Sequence, residues 1–131
     1  MPRLIKQPEG SGMCGHCCVA MATGTSLKKV LSLLPGHQEG TTAKELHLVL
    51  ASLGVRSAEK LRRVPKNKPV WPQRAILSIH RPKEEAVGRK EIGHWMLAWD
   101  GKILDPSGRW PEGYEKWKIT SFLEIFPREG Q

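Results

Sequence analysis

The sequence has 131 residues, and it lacks long apolar runs and internal repeats. No stretch approaches the ~18 consecutive apolar residues that cross a bilayer, so we expect no membrane-spanning helix and no membrane partner. The first nine residues carry charges and prolines where a secretory signal peptide has an apolar segment. The length suits one domain covering 1–131. These features predict a single globular domain in the cytoplasm.

Cysteine is also scarce, and the three present are crowded at Cys14, Cys17 and Cys18. An odd, clustered set does not make a disulfide framework. In a reducing compartment such a cluster is more typical of nucleophilic, redox or metal chemistry. Acidic residues are in the minority, 13 against 21 Lys and Arg, which gives a net charge of +8. That charge favours an acidic partner or substrate without specifying one.

Three helices are predicted in the first half from their ends and their apolar spacing. Small and apolar residues over 14–22 suit a buried helix that ends at Thr23-Gly24. Ser26 is the expected N-cap of a second helix over about 26–34, which Pro35-Gly36 would stop. Thr42 and Glu45 form a capping box for a third over about 43–53.

The second half favours strands. The apolar, β-rich residues 75–80 predict a buried strand, and 81–93 an exposed loop. Asp100-Gly101 separates two β-like runs, which predicts a tight hairpin. Residues 121–124 read as a capping box opening a short terminal helix that stops at Pro127. Helices followed by strands predict an α+β fold, with the N-terminal helices packed on a small antiparallel β-sheet.

The predicted hairpin brings a histidine and a carboxylate together. If Asp100-Gly101 is the two-residue loop, Met96 lies opposite Asp105. His94 then shares a sheet face with Asp105 and is its diagonal neighbour, within reach of a hydrogen bond. A carboxylate beside an imidazole fixes its tautomer and stabilises its charged form, leaving the other ring nitrogen for a thiol.

Cys14 would supply that thiol. A cysteine at a helix N-terminus feels the positive end of the helix dipole, which favours the nucleophilic thiolate. Gly15 beside it allows a substrate to approach the backbone closely. Thiolate, imidazole and carboxylate are the groups that acyl transfer by a cysteine requires. The Cys14 N–H and the side-chain amide of Gln7 are candidate donors to the developing oxyanion.

Taken in order, these residues resemble the peptidase C39-like group of papain-like cysteine proteases. The shared features are Gln7, Cys14-Gly15 opening a small-residue helix, Gly93-His94-Trp95 on one strand and Leu104-Asp105-Pro106 on the next. Segments 24–34 and 40–54 are similar to the two helices that follow the nucleophile helix in that group, and 119–123 to its closing helix.

The resemblance implies a papain-like cysteine proteinase fold and a cysteine peptidase or related amide or isopeptide hydrolase. In that role Cys14 would be the nucleophile, His94 the general base and acid, Asp105 its orienter, and Gln7 a member of the oxyanion hole. The reaction would pass through a thioester on a peptide or protein substrate and would need no cofactor and no metal.

Two other functions remain open. Cys14-Gly15-His16-Cys17 matches the dithiol motif of protein disulfide isomerases, although no buried strand precedes it as a thioredoxin-like site requires. A non-catalytic binding module could instead keep the fold and hold a partner on a basic surface. A structural zinc site is disfavoured, because the cysteine cluster has no second ligand pair.

A basic stretch over 56–74 supplies much of the positive charge. Its cations are interleaved with prolines and Trp71, as in some nucleic-acid-binding segments, but no recognisable nucleic-acid module accompanies them. We therefore expect an exposed loop that could favour acidic substrates, and no nucleic-acid partner. The other histidines have no carboxylate partner visible in the sequence, so we expect structural or surface roles for them; they are His16, His37, His47 and His80.

Overall fold

The computed structural model of the chain describes residues 2–9, 11–35, 40–82 and 93–127. Within these ranges, three helices precede a five-stranded antiparallel sheet and pack on it, which confirms the predicted α+β class. The helices are α1 (Cys14–Thr23), α2 (Leu27–Leu33) and α3 (Ala43–Ser52). The strands are β1 (Arg62–Arg63), β2 (Arg74–His80), β3 (Gly93–Trp99), β4 (Lys102–Leu104) and β5 (Lys118–Glu124).

The helix ends follow the predicted capping residues. Ser26 accepts a hydrogen bond from the Lys29 N–H, and Thr42 and Glu45 form both bonds of a capping box. Gly24 ends α1 with a φ of 70°, a left-handed conformation that glycine adopts without a steric penalty. None of the helices in the described ranges is long and apolar enough to cross a bilayer.

The predicted terminal helix is wrong, because Ser121–Glu124 belongs to β5. This strand lies inside the sheet, whose order is β1-β5-β2-β3-β4. β5 pairs with β2 on one side and with β1 on the other, so its backbone groups are satisfied by the ladder. The hydrogen bonds of β5 to two neighbouring strands and the burial of Leu123 stabilise the strand more than a capping box would stabilise a helix, because a helix cap contributes only about 1 kcal/mol.

The sheet separates two apolar clusters. One face packs on α1 and α3 through buried residues that include Ile76, Leu97 and Leu123, with Trp95 and Trp99 half-buried beside them. The other face carries Ala75, Leu77, Ile79, Met96 and Ala98, and Tyr114 from the segment after β4 covers them.

The β3–β4 hairpin has the predicted register. Asp100 and Gly101 both have positive φ, 49° and 87°, as a tight two-residue hairpin turn requires. Trp99 pairs with Lys102 and Leu97 with Leu104, so Asp105 follows the last paired residue of β4. Arg74 forms a bidentate ion pair with Asp100 at 3.2 and 3.3 Å, which ties the turn to the start of β2. The hairpin is thus fixed at the end away from His94.

Candidate functional site

The nucleophile candidate lies where the sequence predicts it, at the first residue of α1. Cys14 is buried, and the Trp95 N–H of β3 points at its Sγ at 3.4 Å. The first intrahelical hydrogen bond runs from the Cys17 N–H to the Met13 carbonyl, so the N–H groups of Cys14 and Gly15 have no acceptor within the helix. Met13 provides no side-chain cap. The thiol therefore lies at a helix end for which the described residues provide no side-chain cap.

His94 and Asp105 are in direct contact, as the hairpin register predicts. His94 Nε2 lies 2.6 Å from Asp105 Oδ1, and both side chains are almost fully buried. Because an ionised carboxylate can only accept, Nε2 carries the shared proton. The nitrogen left for Cys14 is Nδ1, and a hydrogen bond with Cys14 acts on the imidazole. The structure thus joins Cys14, His94 and Asp105 in one chain of contacts.

This arrangement favours the charged form of both His94 and Asp105. Burial alone would lower the pKa of His94, but the hydrogen bond with Asp105, the hydrogen bond with Cys14 and the charges of both raise it to about 9. Burial alone would raise the pKa of Asp105, but its bonds with His94 and Ser107 hold it well below the usual range. An imidazolium beside a thiol stabilises the thiolate, which is the state that nucleophilic attack needs.

Ser107 and Tyr114 complete the surroundings of the pair, and their roles were not foreseen from sequence. Ser107 donates to Asp105 from both its backbone N–H, at 2.9 Å, and its hydroxyl, at 2.7 Å. The Tyr114 ring stacks on the His94 imidazole, with centroids 5.1 Å apart and planes 16° from parallel. Its hydroxyl lies 2.9 Å from Ser107 Oγ and accepts a hydrogen bond from Arg109.

Tyr114 therefore fixes the plane of the imidazole and shields the His94–Asp105 contact from water. The structure buries Tyr114 and packs its ring on His94. The signal that could have found it is weak: a lone tyrosine within ten residues of Asp105, in a segment with tryptophans on either side.

Gly15 is required by close packing. A Cβ at this position would overlap Thr41 Oγ1 and press on the side chains of Leu46 and Trp95. The Trp95 indole N–H in turn donates to the Thr41 carbonyl at 3.2 Å. These contacts hold the N-terminal ends of α1 and α3 against β3, so the position of the Cys14 backbone depends on Gly15.

Gln7 lies beside the site, and its side-chain amide bonds the segment that leads into α1. The Gln7 N–H donates to the Pro106 carbonyl at 2.9 Å, which fastens the N-terminal segment to the residue after Asp105. Its side-chain amide donates to the Ser11 carbonyl at 2.7 Å and does not hydrogen-bond Cys14 or His94. Because an amide nitrogen has two N–H groups, one stays available for a substrate oxygen.

Cys17 and Cys18 are wholly buried in α1 and pack in the apolar core. Burial, with a smaller effect of Cys14, raises the pKa of Cys17 to about 12. Burial raises the pKa of Cys18 well above its ordinary value too. Neither thiol forms a thiolate readily near neutral pH, so both behave as core residues.

The remaining described histidines each contact a neutral group. His16 is buried and lies 2.9 Å from the Leu34 carbonyl. His47 contacts Ser57 at 2.9 Å, and His80 contacts Thr120 at 2.8 Å. His37 and nearly all of the predicted 81–93 loop lie outside the described residues, as does Gly36.

Metal binding finds no support in the part of the chain that the structure describes, where no group of three or more His, Cys, Asp and Glu side chains is arranged around a common point. Comparison of the chain with models of known protein families and with curated protein sequences found no match.

Proposed function

We propose that this protein is a cysteine peptidase or a related amide or isopeptide hydrolase with a papain-like, peptidase C39-like fold, acting in the cytoplasm. The observation that carries the proposal is the buried contact of His94 Nε2 with Asp105 Oδ1, together with a Cys14 thiol close enough to raise the pKa of the imidazole. A structural histidine needs one partner, whereas an imidazole between a carboxylate and a thiol at a helix N-terminus is suited to acyl transfer.

In the proposed reaction, the Cys14 thiolate attacks the substrate carbonyl carbon and forms a C–S bond. The His94 imidazolium gives its proton to the leaving amine as the C–N bond breaks, which leaves a thioester on Cys14. Water then attacks the thioester while neutral His94 takes up its proton. The products are a carboxylic acid and the free thiol, with the proton returned to the Cys14–His94 pair, so no cofactor enters the balance.

The oxyanion of each tetrahedral intermediate would lie at the start of α1. The N–H groups of Cys14 and Gly15 precede the first helical hydrogen bond and are available as donors. The second N–H of the Gln7 amide is the further donor we propose. Loss of one such donor in other enzymes costs about 10²–10³ in rate.

Acylation of Cys14 tests the proposal. The probes are N-acetylated dipeptide thiobenzyl esters with acidic, basic and apolar side chains, because an activated ester lets the acyl-enzyme accumulate. Mass spectrometry after acid quench should find one acyl group, located on Cys14. The rate should fall by about 10² or more in His94→Ala, the usual contribution of a general acid or base. His80→Ala, which removes an exposed histidine bonded to Thr120, is the matched control and should react as the parent does.

Acylation at equal rates in His94→Ala and the parent would contradict the proposal, as would acyl groups spread over all three cysteines. The same samples would also distinguish the two alternative functions. A reversible Cys14–Cys17 disulfide without acylation would indicate a dithiol oxidoreductase. Absence of acylation from every ester, with Cys14 unmodified, would indicate a non-catalytic binding module.

A further inference from the structure

The outer edge of the sheet carries a dense set of cations that the proposed hydrolysis does not use. Residues 56–64 run alongside β5 in the opposite direction: the Phe126 N–H donates to the Arg56 carbonyl at 3.0 Å, and the Val64 N–H to the Thr120 carbonyl at 3.0 Å. Between these bonds, β1 pairs directly with β5. The whole segment is therefore an ordered edge of the sheet, with its other side not covered by another strand in the described residues.

Six cations of this edge and the turn that follows are exposed. Within 56–68 the one acidic residue is Glu59. The ion pairs seen among the described residues are Arg74–Asp100 and His94–Asp105, and neither includes any of the six cations. Arg74, which the sequence grouped with them, is excluded by its bond to Asp100. We call these six residues the basic surface: Arg56, Lys60, Arg62, Arg63, Lys66 and Lys68.

The sheet register relates the basic surface to Cys14. Arg63 pairs with Ser121, Ser121 with Ser78, and Ser78 with Trp95, whose N–H meets the Cys14 thiol. Three strand spacings of about 4.8 Å place the backbone at Arg63 about 15 Å from Trp95. An extended polypeptide covers that distance in about five residues. One chain could therefore reach both Cys14 and the basic surface.

The side chains among these cations suit a polypeptide better than a nucleic acid. Single-stranded nucleic acids are held by aromatic side chains on which the bases stack. The aromatic residue of this stretch, Trp71, is half-buried against the sheet. The exposed apolar side chains are instead Leu61, 37% exposed, and Val70, 48% exposed. Aliphatic groups between cations match a chain of mixed acidic and apolar residues.

We propose that the basic surface binds acidic, apolar-containing segments of polypeptides. The binding itself does not depend on the proposed function. The further statement that the bound segment belongs to a substrate of Cys14 rests on that function. The surface would then select acidic proteins for cleavage about five residues or more from the bound segment.

Binding can be measured in a Cys14→Ala chain, which cannot turn over the probe. The probe is a fluorescein-labelled peptide of alternating Glu and Leu, about twelve residues long, which spans about 40 Å when extended. The test variant carries Arg62→Glu, Arg63→Glu and Lys66→Glu. The matched control carries Lys28→Glu, Lys29→Glu and Lys44→Glu, three exposed lysines on α2 and α3, so the net charge changes equally. If the test variant fails to fold, Lys60→Glu, Lys66→Glu and Lys68→Glu reverse charges outside β1.

Fluorescence anisotropy should show binding to the parent and to the control within about twofold of each other, and at least about tenfold weaker binding to the test variant. Binding should also weaken as salt rises from about 50 to about 200 mM. Equal weakening in both triple variants would overturn the proposal, because net charge alone would then explain binding. So would tighter binding of a thymidine oligonucleotide of equal charge. Loss of binding to the test variant supports the surface whether or not the ester experiment finds acylation.

Discussion

Asp105→Asn is the substitution whose effects follow most directly from the site. The Asp105 carboxylate accepts five hydrogen bonds, from His94, from the N–H and hydroxyl of Ser107, and from the N–H groups of Arg109 and Trp110. An asparagine replaces one accepting oxygen by a donating NH₂, so at least two of these donors lose their acceptor. At about 1–3 kcal/mol for each buried group left unpaired, we expect the free energy of unfolding to fall by about 2–6 kcal/mol.

The same substitution should change the titration of His94. The rise of its pKa from 6.5 to about 9 corresponds to about 3 kcal/mol of preference for the imidazolium, and Asp105 provides the largest favourable contribution. Without the carboxylate, burial lowers the pKa of His94 and only Cys14 still raises it, so this pKa should fall well below 9. Histidine ring resonances measured by NMR across pH, assigned with a His94→Gln chain, report this value.

Asp100→Asn provides the matched control for both measurements. It makes the same chemical change at a partly exposed ion pair with Arg74, so we expect a loss below about 1 kcal/mol and an unchanged His94 titration. An Asp105→Asn chain in which His94 still titrates near 9 would refute the reasoning, because Asp105 would then not be what holds the imidazolium.

Three further predictions follow from the packing and titration of the site. Gly15→Ala should lower the free energy of unfolding by about 1–3 kcal/mol in urea denaturation, since its Cβ overlaps a neighbour, whereas Gly93→Ala, whose Cβ meets only ordinary contacts, should cost less. Tyr114→Leu should reduce stability and broaden the His94 titration, and Tyr114→Phe, which keeps the stacked ring, should cost only about 1 kcal/mol. The pKa of His94 is higher in the folded chain than in the unfolded chain. The contribution of its imidazolium to folding stability is therefore complete below pH 6.5 and is lost as the pH rises through about 9. The stability of the parent chain relative to His94→Gln should therefore fall over that window; a flat difference would contradict the prediction.

The elements that the sequence predicted well are those fixed by local geometry. Asp100-Gly101 specifies a two-residue turn, and the turn specifies the register, so the contact between His94 and Asp105 could be derived from residues within a dozen positions of each other. Ser26, Thr42 and Gly24 mark helix ends through bonds and dihedral angles within one turn of the chain.

The wrong prediction and the features that were missed depend on contacts between distant parts of the chain. Residues 121–124 satisfy a capping-box pattern, but their position between β1 and β2 decides their conformation, and pairing partners some 40 and 60 residues away leave no local signal. Tyr114 reaches His94 only because the loop after β4 folds back over the sheet. The contact of the Trp95 N–H with the Cys14 thiol joins residues 81 positions apart, and nothing in the spacing of the sequence predicts it.

The coupling of Cys14 to His94 is the central claim, and site-resolved alkylation of the native protein with iodoacetamide across pH tests it most directly. In the parent chain, Cys14 should react far faster than Cys17 and Cys18, and it should stay reactive at neutral pH, because the imidazolium stabilises its thiolate. In His94→Ala, the reactivity of Cys14 at neutral pH should be lost. Slow, equal labelling of all three cysteines, or the same pH profile with and without His94, would contradict the claim.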